Sequence, residues 1–352
     1  MWTFESMLSE PAAWLDASGP RADVILSTRV RLARNVHGVA FPNRATEDDL
    51  RGVRDRVRRA ATESNYLTNA LVIDMEEASP AVRDVLVERH LTSHNFAVDD
   101  AGRVVVIGEK EILSAMVNEE DHLRLQCIRS GLQPVDAWRL VDRIDREMDR
   151  NLHYAYSSDW GYLTACPTNV GTGVRVSVLA HLMGLSRRKR IAQVLRSVSK
   201  LGLSVRGYYG EGSAALGGFF QISNQTTLGQ SEEDIAYTVE RVASRIVGLE
   251  LEARAELTQR EGDRLADQVH RAYGILANAR LVGAEECMRL SSMLRLGVAL
   301  GLVERPGLAA VNRLLVVTQP GHLQYAHGGD PALEERDRMR ADLVRRELAA
   351  CD

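Results

Sequence analysis

The pattern of apolar residues changes once along the chain, about two thirds of the way from its start, and this change limits the possible folds. Before Ser231, short apolar runs at 71–75 and 104–107 alternate with amphipathic helical stretches. From Ser231 onward, a helix-start signal is followed by helical periodicity that continues almost to the end. The sequence therefore predicts an α+β fold for residues 1–255 and an all-helical C-terminal domain for residues 256–352.

Several secondary-structure elements can be placed from their end signals and from the alternation of side chains. Thr46 precedes three acidic residues and is predicted to cap a helix over 46–64. Asp330 precedes Pro331 and is predicted to cap the last helix. Further elements are predicted as strands over 24–31, 161–167, 174–182 and 219–223 and as a helix over 136–151.

Composition argues against several classes of function. The net charge of −4 does not favour nucleic-acid binding. No apolar stretch approaches the roughly 20 residues needed to cross a bilayer, and the N-terminus lacks a signal-peptide pattern. The four cysteines form no CxxC pair, so neither a zinc site nor a disulfide framework is predicted. These features together predict a cytoplasmic protein.

Arginines stand at positions that suit phosphate binding. Arg29 and Arg31 are two residues apart on a predicted strand, so their side chains should share one face. Arg124, Arg175 and Arg206 come from three other segments, next to acidic or glycine-rich stretches. Together the five could surround a triphosphate, although each alone is more typical of a surface salt bridge. The sequence contains neither a P-loop nor the motifs of eukaryotic-type protein kinases.

Carboxylates and one cysteine could serve an acceptor with a guanidinium group. Glu119, Glu120 and Asp121 form an acidic triplet, and Glu211 lies in a glycine-rich loop. Two carboxylates can hold the planar fork of a guanidinium, whose pKa lies above roughly 12, and can accept its proton. Cys166 in the turn ACPTNVGTG could help to position that cation as a thiolate. The alternatives are a solvated helix face, a surface loop and a small buried cysteine.

Four segments in order resemble the catalytic motifs of the phosphagen kinases, the creatine and arginine kinase superfamily. They are STRVR (27–31), NEEDHLR (118–124), CPTNVGTGVR (166–175) and RGYYGEG (206–212) followed by GFFQISN (218–224). The resemblance implies an ATP-dependent phosphotransferase. It also implies a catalytic domain with a mostly antiparallel sheet flanked by helices.

The resemblance also implies roles for individual residues. Glu120 would pair with the acceptor guanidinium as catalytic base, Glu211 would be the second guanidinium-binding carboxylate, and Cys166 would be the reactive cysteine. Mg²⁺ would be bound mainly by nucleotide phosphates, so no protein metal ligand is predicted. The implied ATP-binding residues are Ser27, Thr28, Arg29, Val30, Arg31, His90, Arg124, Arg175, Val176, Ser177, Val178, Arg206 and Gly207.

Two departures from the small-substrate members narrow the resemblance. Only 26 residues precede Ser27, where those members carry a helical domain, and a helical region follows the catalytic part. Both features are similar to the bacterial protein-arginine kinases, which implies arginine in proteins as the acceptor. RDRMRA (336–341) resembles the phosphoarginine-binding motif of that group, with Arg336, Asp337 and Arg340 as ligands and phosphoarginine as an allosteric ligand.

The same resemblance implies further partners. Phosphoarginine would mark proteins for the Clp protease in the stress response, an activator protein is possible, and a homo-oligomer is expected. Three alternatives remain open at this point. They are a kinase of free arginine or another small guanidino compound, a non-catalytic phosphoarginine-binding adaptor, and a nucleic-acid binder that uses the basic run 187–190.

Overall fold

The structure, a computed structural model, describes residues 2–98, 102–207 and 216–350. An antiparallel sheet of eight strands dominates the N-terminal two thirds, in the order β2-β3-β4-β5-β1-β8-β10-β9, and a separate hairpin pairs β6 with β7. The strands are Ile25–Arg34 (β1), Leu71–Asp74 (β2), Val104–Ile107 (β3), Leu113–Val117 (β4), Leu123–Ser130 (β5), Tyr156–Ser157 (β6), Gly161–Tyr162 (β7), Val174–His181 (β8), Leu203–Gly207 (β9) and Phe219–Asn224 (β10).

Helices flank the sheet and then form the C-terminal region. Thr46 and Ser231 both accept a hydrogen bond from the backbone N–H three residues later, which confirms the predicted capping of two helices. The helices are Phe4–Ser9 (α1), Glu47–Glu63 (α2), Pro80–Glu88 (α3), His94–Val98 (α4), Pro134–Leu152 (α5), Met183–Arg187 (α6), Ile191–Ser199 (α7), Glu232–Asn278 (α8), Ala284–Ala299 (α9), Leu308–Val317 (α10), Pro320–His327 (α11) and Leu333–Ala349 (α12).

Two predicted element boundaries differ from the structure, and the predicted domain boundary at residue 255 lies within a helix. The last helix begins at Leu333 and not at Asp330, because the Asp330 carboxylate pairs with Arg336 at 2.9 Å and caps nothing. The strand predicted over 161–167 is only two residues long, and Pro167, which has no N–H to donate, opens a 3-10 turn. Helix α8 passes through residue 255 and leaves helical backbone only at Glu261, where φ is −134°.

The main core lies between one face of the sheet and three helices. Alternate residues of a strand point to opposite faces, so every second residue of β1 and β8 enters this core. Helices α2, α5 and α8 cover it with the apolar stripes predicted from their periodicity. Its fully buried members include Val30, Leu32, Val176, Val178, Val57, Ile144, Met148, Ile235 and Val239.

The C-terminal helices hold the segment that precedes β1. Buried Arg295 of α9 donates hydrogen bonds to the carbonyl oxygens of Ala22 at 2.6 Å and Asp23 at 3.1 Å. Asn312 of α10 donates to the carbonyl oxygen of Leu15 at 3.1 Å. An apolar cluster at the same place joins Trp14 and Leu15 to residues of α9 and α10 and to the sheet. The first and last thirds of the chain therefore fold as one interlocked body.

Candidate active site

The sheet register places the predicted phosphate arginines on the face opposite the main core. Arg31 of β1 lies across from Arg175 of β8 and from Gln126 of β5, and cross-strand partners share a face. Position 206 of β9 lies across from Gln221 of β10, which continues the same face toward the sheet edge. The arginines that share this face are Arg29, Arg31, Arg124, Arg175 and Arg206.

These arginines crowd one another electrostatically. Burial, followed by repulsion from Arg124, lowers the pKa of Arg29 to about 10. Burial and repulsion from Arg29 hold the pKa of Arg31 well below its ordinary value, and Arg175 adds to both effects. The Arg31 Nε has no hydrogen-bond partner among the described residues. A polyanion bound here would relieve the repulsion between these cations.

His90 lies at the same place, as the resemblance implies. Its carbonyl oxygen accepts hydrogen bonds from the Arg29 guanidinium at 3.1 Å and from the Gln126 amide at 2.9 Å. Arg29 also donates to the Gln126 side-chain oxygen. Burial, with repulsion from Arg29 and Arg31, lowers the pKa of His90 to about 3, so the ring is neutral. Gln126 was not predicted as a site residue, although its alternation with Arg124 on one strand was visible in the sequence.

A small pocket continues from the arginines toward the apolar end of this face. Polar and apolar side chains line its walls, as would suit a nucleoside next to its phosphates. The lining residues are Ser27, Arg29, His90, Ile128, Ser177, Leu179 and Gln221.

Four of the predicted ATP-binding residues do not contribute side chains to this face. Thr28, Val30, Val176 and Val178 alternate with the arginines and are buried on the other side of the sheet. The Thr28 hydroxyl donates to the carbonyl oxygen of Gly131 at 2.6 Å and accepts from a backbone N–H. These four residues are therefore not side-chain ligands of a nucleotide, because strand alternation directs their side chains into the core. Binding through their backbone stays a prediction.

The acidic triplet divides into three environments. Glu119 is nearly buried, pairs with Arg124 and accepts a hydrogen bond from Ser93. The Glu120 side chain is 45% exposed and lies 3.7 Å from the Arg124 guanidinium. The Asn169 amide donates to Glu120 at 3.4 Å. Of Glu119 and Glu120, only the Glu120 carboxylate is exposed enough for an incoming acceptor to reach.

Buried Asp121 joins the Glu120 turn to the cysteine turn. Its Oδ1 accepts hydrogen bonds from Asn35 at 2.6 Å and from the backbone N–H of Ala165 at 2.7 Å. Burial raises its pKa, which those two hydrogen bonds oppose. Cys166 follows directly, and its Sγ lies 3.0 Å from the Thr168 hydroxyl. The structuring role of Asp121 was missed because the sequence shows only three adjacent acids.

A cleft opens beside Glu120. Its lining residues come from the segment before α2 and its first turn, from the residue before β3, from the turn after β4 and from the residue before Cys166. They are Pro42, Asn43, Leu50, Arg103, Asn118, Glu119, Glu120 and Ala165. An acceptor side chain that enters this cleft would meet Glu120 between the arginines and the cysteine turn.

Two of the predicted ATP-binding residues lie at the end of the second described range, 102–207. Arg206 and Gly207 end β9 at the edge of the sheet. Glu211 lies outside the described residues, so its predicted role stays a prediction. Among the described residues, no helix has both the length and the apolar character required to span a membrane.

The predicted phosphoarginine ligands lie on α12, far along the chain from the arginine face. Arg340 is buried and donates to the carbonyl oxygens of Thr318 at 2.9 Å and Val282 at 2.8 Å, and it pairs with Asp337 at 2.6 Å. The Arg336 side chain is 26% exposed. Its Nε has no partner among the described residues. Arg340 therefore holds the helix in place, whereas Arg336 is open to a ligand.

Comparison with known proteins adds a second line of observation. A family model described as the ATP:guanido phosphotransferase C-terminal catalytic domain matches residues 52–253, and one described as the protein-arginine kinase McsB C-terminal domain matches 262–352. The protein-arginine kinase of Pelotomaculum thermopropionicum is 44% identical over 348 residues, 98% of each chain. That of Bacillus anthracis is 42% identical over 337 residues, 95% of each chain. The crystal structure of a lombricine kinase, 24% identical, aligns with a TM-score of 0.61 over 70% of this chain and 73% of that chain, which shows a common fold.

Proposed function

The chain belongs to the protein-arginine kinase branch of the ATP:guanido phosphotransferases, and we propose that it transfers the γ-phosphoryl group of ATP to arginine side chains of proteins. One observation carries the proposal. A face of mutually repelling arginines lies next to an accessible carboxylate, Glu120, and to the Cys166 turn. This places a site for a polyanion beside a site for a cation, which is the arrangement that phosphoryl transfer to a guanidinium requires.

The transfer would follow from that geometry. The ATP phosphates lie among the arginines, with the nucleoside toward the pocket at Ser27 and His90. A guanidinium nitrogen attacks the γ-phosphorus, the bond to the ADP oxygen breaks, and Glu120 accepts the proton that the nitrogen loses. Positioning and charge neutralisation supply most of the rate enhancement. Mg²⁺ would enter with ATP and stabilise charge on the phosphate oxygens, because it prefers phosphate and water ligands.

The wider role is also part of the proposal. We propose that phosphoarginine marks proteins for the Clp protease in the cytoplasmic stress response, with an activator protein and self-association as further elements. The resemblance to the bacterial protein-arginine kinases supports this. Phosphoarginine would bind at Arg336, since the Arg336 guanidinium is the more accessible of the two on α12. Arg336→Ala should weaken phosphoarginine binding at least tenfold in calorimetry, and unchanged binding would refute the assignment.

The test of the proposed activity uses the purified chain, MgATP and an unfolded arginine-containing protein, with free arginine as a parallel acceptor. Mass spectrometry should find acid-labile phosphate on arginine of the protein and none on the free amino acid. Transfer only to free arginine would move the enzyme to the small-substrate class. Transfer to neither acceptor would favour the adaptor function, unless added phosphoarginine or an activator restores it.

The variant Glu120→Gln tests the assignment of Glu120 as the catalytic base. Glu120→Gln should abolish transfer while nucleotide binding, measured by calorimetry, stays within about twofold of wild type. Turnover near the wild-type rate in this variant would exclude Glu120 as the base. Asn65→Ala is a suitable control because the Asn65 side chain is exposed and, within the described part of the chain, donates a hydrogen bond to Glu147 of α5 at 2.9 Å.

A further inference from the structure

An exposed aromatic hairpin stands beside the cysteine turn and has no role in the transfer described above. It consists of residues 156–162, that is β6, β7 and their turn. Tyr156 is 61% exposed and Trp160 is 60% exposed, and Leu228, 49% exposed, borders the same groove. Neighbouring exposed apolar side chains with polar surroundings are typical of interaction surfaces. Tyrosine and tryptophan are also the residues that most often supply binding energy there.

Aromatic and cation–π contacts hold the hairpin against the rest of the protein. The Tyr156 ring contacts the Tyr162 ring edge to face, with centroids 5.3 Å apart. The Arg34 guanidinium lies 3.5 Å from the Tyr162 ring centroid and is itself held by Asp145 at 2.7 Å and Glu232 at 2.9 Å. A partner that binds the hairpin therefore meets a preorganised surface, which lowers the entropic cost of association.

The hairpin is tied to the turn that carries the reactive cysteine. Tyr162 and Gly171 exchange backbone hydrogen bonds of 2.8 and 3.2 Å, and the Thr227 hydroxyl donates to the carbonyl oxygen of Val170 at 2.7 Å. Cys166 follows Tyr162 by four positions, which limits the distance between their Cα atoms to about 14 Å at full extension. An extended peptide with its arginine at the cysteine turn would reach the hairpin within about four residues.

An acidic pocket adjoins the hairpin and defines the charge of the partner. Five carboxylates and two arginines line it, and Glu232 contributes both to this pocket and to the groove beside Trp160. Arg34 pairs with Asp145 and Glu232, and Arg146 pairs with Asp142. The five carboxylates still exceed the two arginines by three, so the pocket attracts a further cation, and the neighbouring groove accepts an apolar side chain. The lining carboxylates are Asp142, Asp145, Asp149, Glu232 and Glu233.

We propose that the aromatic hairpin and the acidic pocket form a docking surface for an extended segment of the protein substrate. An apolar side chain of the segment packs on Trp160 and Tyr156, and a lysine or arginine nearby in its sequence occupies the acidic pocket. A different arginine of the same segment reaches Glu120. Such a surface selects unfolded polypeptides, because a folded protein seldom presents apolar, basic and acceptor side chains together on one extended strand. The inference rests on the proposed function and adds a substrate preference to it.

The experiment measures steady-state phosphorylation of an unfolded arginine-containing protein by wild type, Trp160→Ala and Tyr156→Ala. Each variant should raise KM about tenfold and change kcat less than twofold, because docking is remote from the transferred group. Tyr66→Ala, at an exposed tyrosine in the turn after α2, is the matched control and should leave both constants unchanged. Thermal melting of all variants verifies that the fold is intact.

A second measurement does not depend on the variants. Fluorescence anisotropy on the Glu120→Gln background compares labelled peptides that share one acceptor arginine. A peptide with tryptophan and lysine about four residues away should bind at least tenfold more tightly than one with serine and glutamate there. KM and peptide affinity that are both insensitive to these changes would overturn the proposal. Loss of self-association in Trp160→Ala, with KM unchanged, would assign the surface to a second copy of the chain instead.

Different outcomes would contradict the docking surface and the proposed kinase activity. If wild type phosphorylates protein arginine but the hairpin variants behave like wild type, the docking surface is wrong and the proposed function stands. If wild type phosphorylates no protein under any condition, the proposed function is wrong and the substrate preference falls with it.

Discussion

Strand β1 carries arginines on both faces of the sheet, and the surroundings shift the pKa of these arginines in opposite directions on the two faces. Arg31 is partly buried among other arginines, and its pKa is held well below the ordinary value. Arg34, three residues further along, is fully buried. Burial alone would lower the pKa of Arg34, but Asp145 and Glu232 hold it above the ordinary value. One strand thus contains a cation that repels its neighbours and a cation that is fully neutralised.

This difference in pKa indicates that Arg31 serves the active site and that Arg34 serves the stability of the fold. The repulsion around Arg31 destabilises the folded chain and is the kind of strain that active sites retain. The pairs around Arg34 stabilise the contact between β1, α5 and α8, and their loss would leave buried carboxylates without a partner. Arginine variants on the two faces should therefore give opposite combinations of lost activity and lost stability.

The largest effect is expected at Arg31. Arg31→Ala should reduce kcat/KM about a thousandfold, because a phosphate-stabilising arginine contributes at least that much in related transfers. The same variant should unfold at the wild-type temperature or above it, because one repelling cation is removed. Kinetics and calorimetry on the same sample check both parts. A large fall in Tm would show that Arg31 is a structural residue and would remove the contrast.

Arg34 should show the reverse behaviour. Arg34→Met is expected to lower the free energy of unfolding by about 3–5 kcal/mol, the range typical of a broken buried ion pair. The kcat per folded molecule should stay within a few-fold of wild type. Denaturant unfolding at pH 7 measures the loss. An unchanged midpoint would mean that the pairs with Asp145 and Glu232 contribute nothing net.

A second neutralised arginine extends the comparison to α12. Arg340→Ala should cost roughly 2–4 kcal/mol, because the carbonyl oxygens of Thr318 and Val282 lose their donors in the interior. Arg338, two residues away, makes only exposed pairs with Glu334 and Glu335. Arg338→Ala is the matched control and should change stability by less than about 0.5 kcal/mol. Equal effects of the two variants would contradict the structural role of Arg340.

The smallest effect at pH 7 is one that appears only as the solution becomes acidic. Burial lowers the pKa of His90 to about 3 and that of His122 to about 4, both below the ordinary 6.5. Below pH 6.5 both histidines gain a proton in the unfolded chain but stay neutral in the folded chain. Stability is therefore complete above pH 6.5 and falls toward pH 4, by about 1.4 kcal/mol per pH unit for each histidine.

Denaturant titrations at several pH values measure this slope. Burial lowers the pKa of four histidines, His90, His122, His181 and His322. His90→Gln should therefore remove about a quarter of the slope, whereas His37→Gln, at an exposed histidine, should leave it unchanged. An unchanged slope in the His90 variant would show that the arginine face does not exclude the proton from that ring.

The sequence predicted the parts of the molecule that follow from local rules. Capping at Thr46 and Ser231 depends on a few adjacent residues, and both helices begin where expected. The common face of Arg29 and Arg31 follows from the two-residue period of a strand. The same period should have excluded Thr28 and Val30, which the motif resemblance had included as ATP ligands.

What the sequence could not show depends on register and burial. That Arg175 lies opposite Arg31 requires the order of strands that are more than 140 residues apart, as the pairing shows. Asp121 and Glu120 look alike in the sequence, yet one is buried under the cysteine turn and the other is open. Burial separates Arg336 from Arg340 in the same way. These assignments need the packed structure because no local pattern determines them.

The hydrogen bonds from α9 to the segment before β1 have a consequence for synthesis on the ribosome. Arg295 follows Ala22 by 273 residues. At roughly 5–20 residues per second, the carbonyl oxygens of that segment wait about 14–55 s for their donor. During this interval Trp14 and Leu15 also lack their cover from the C-terminal helices. The nascent catalytic sheet therefore emerges with an uncovered apolar end, which stays uncovered until α9 and α10 have been synthesised.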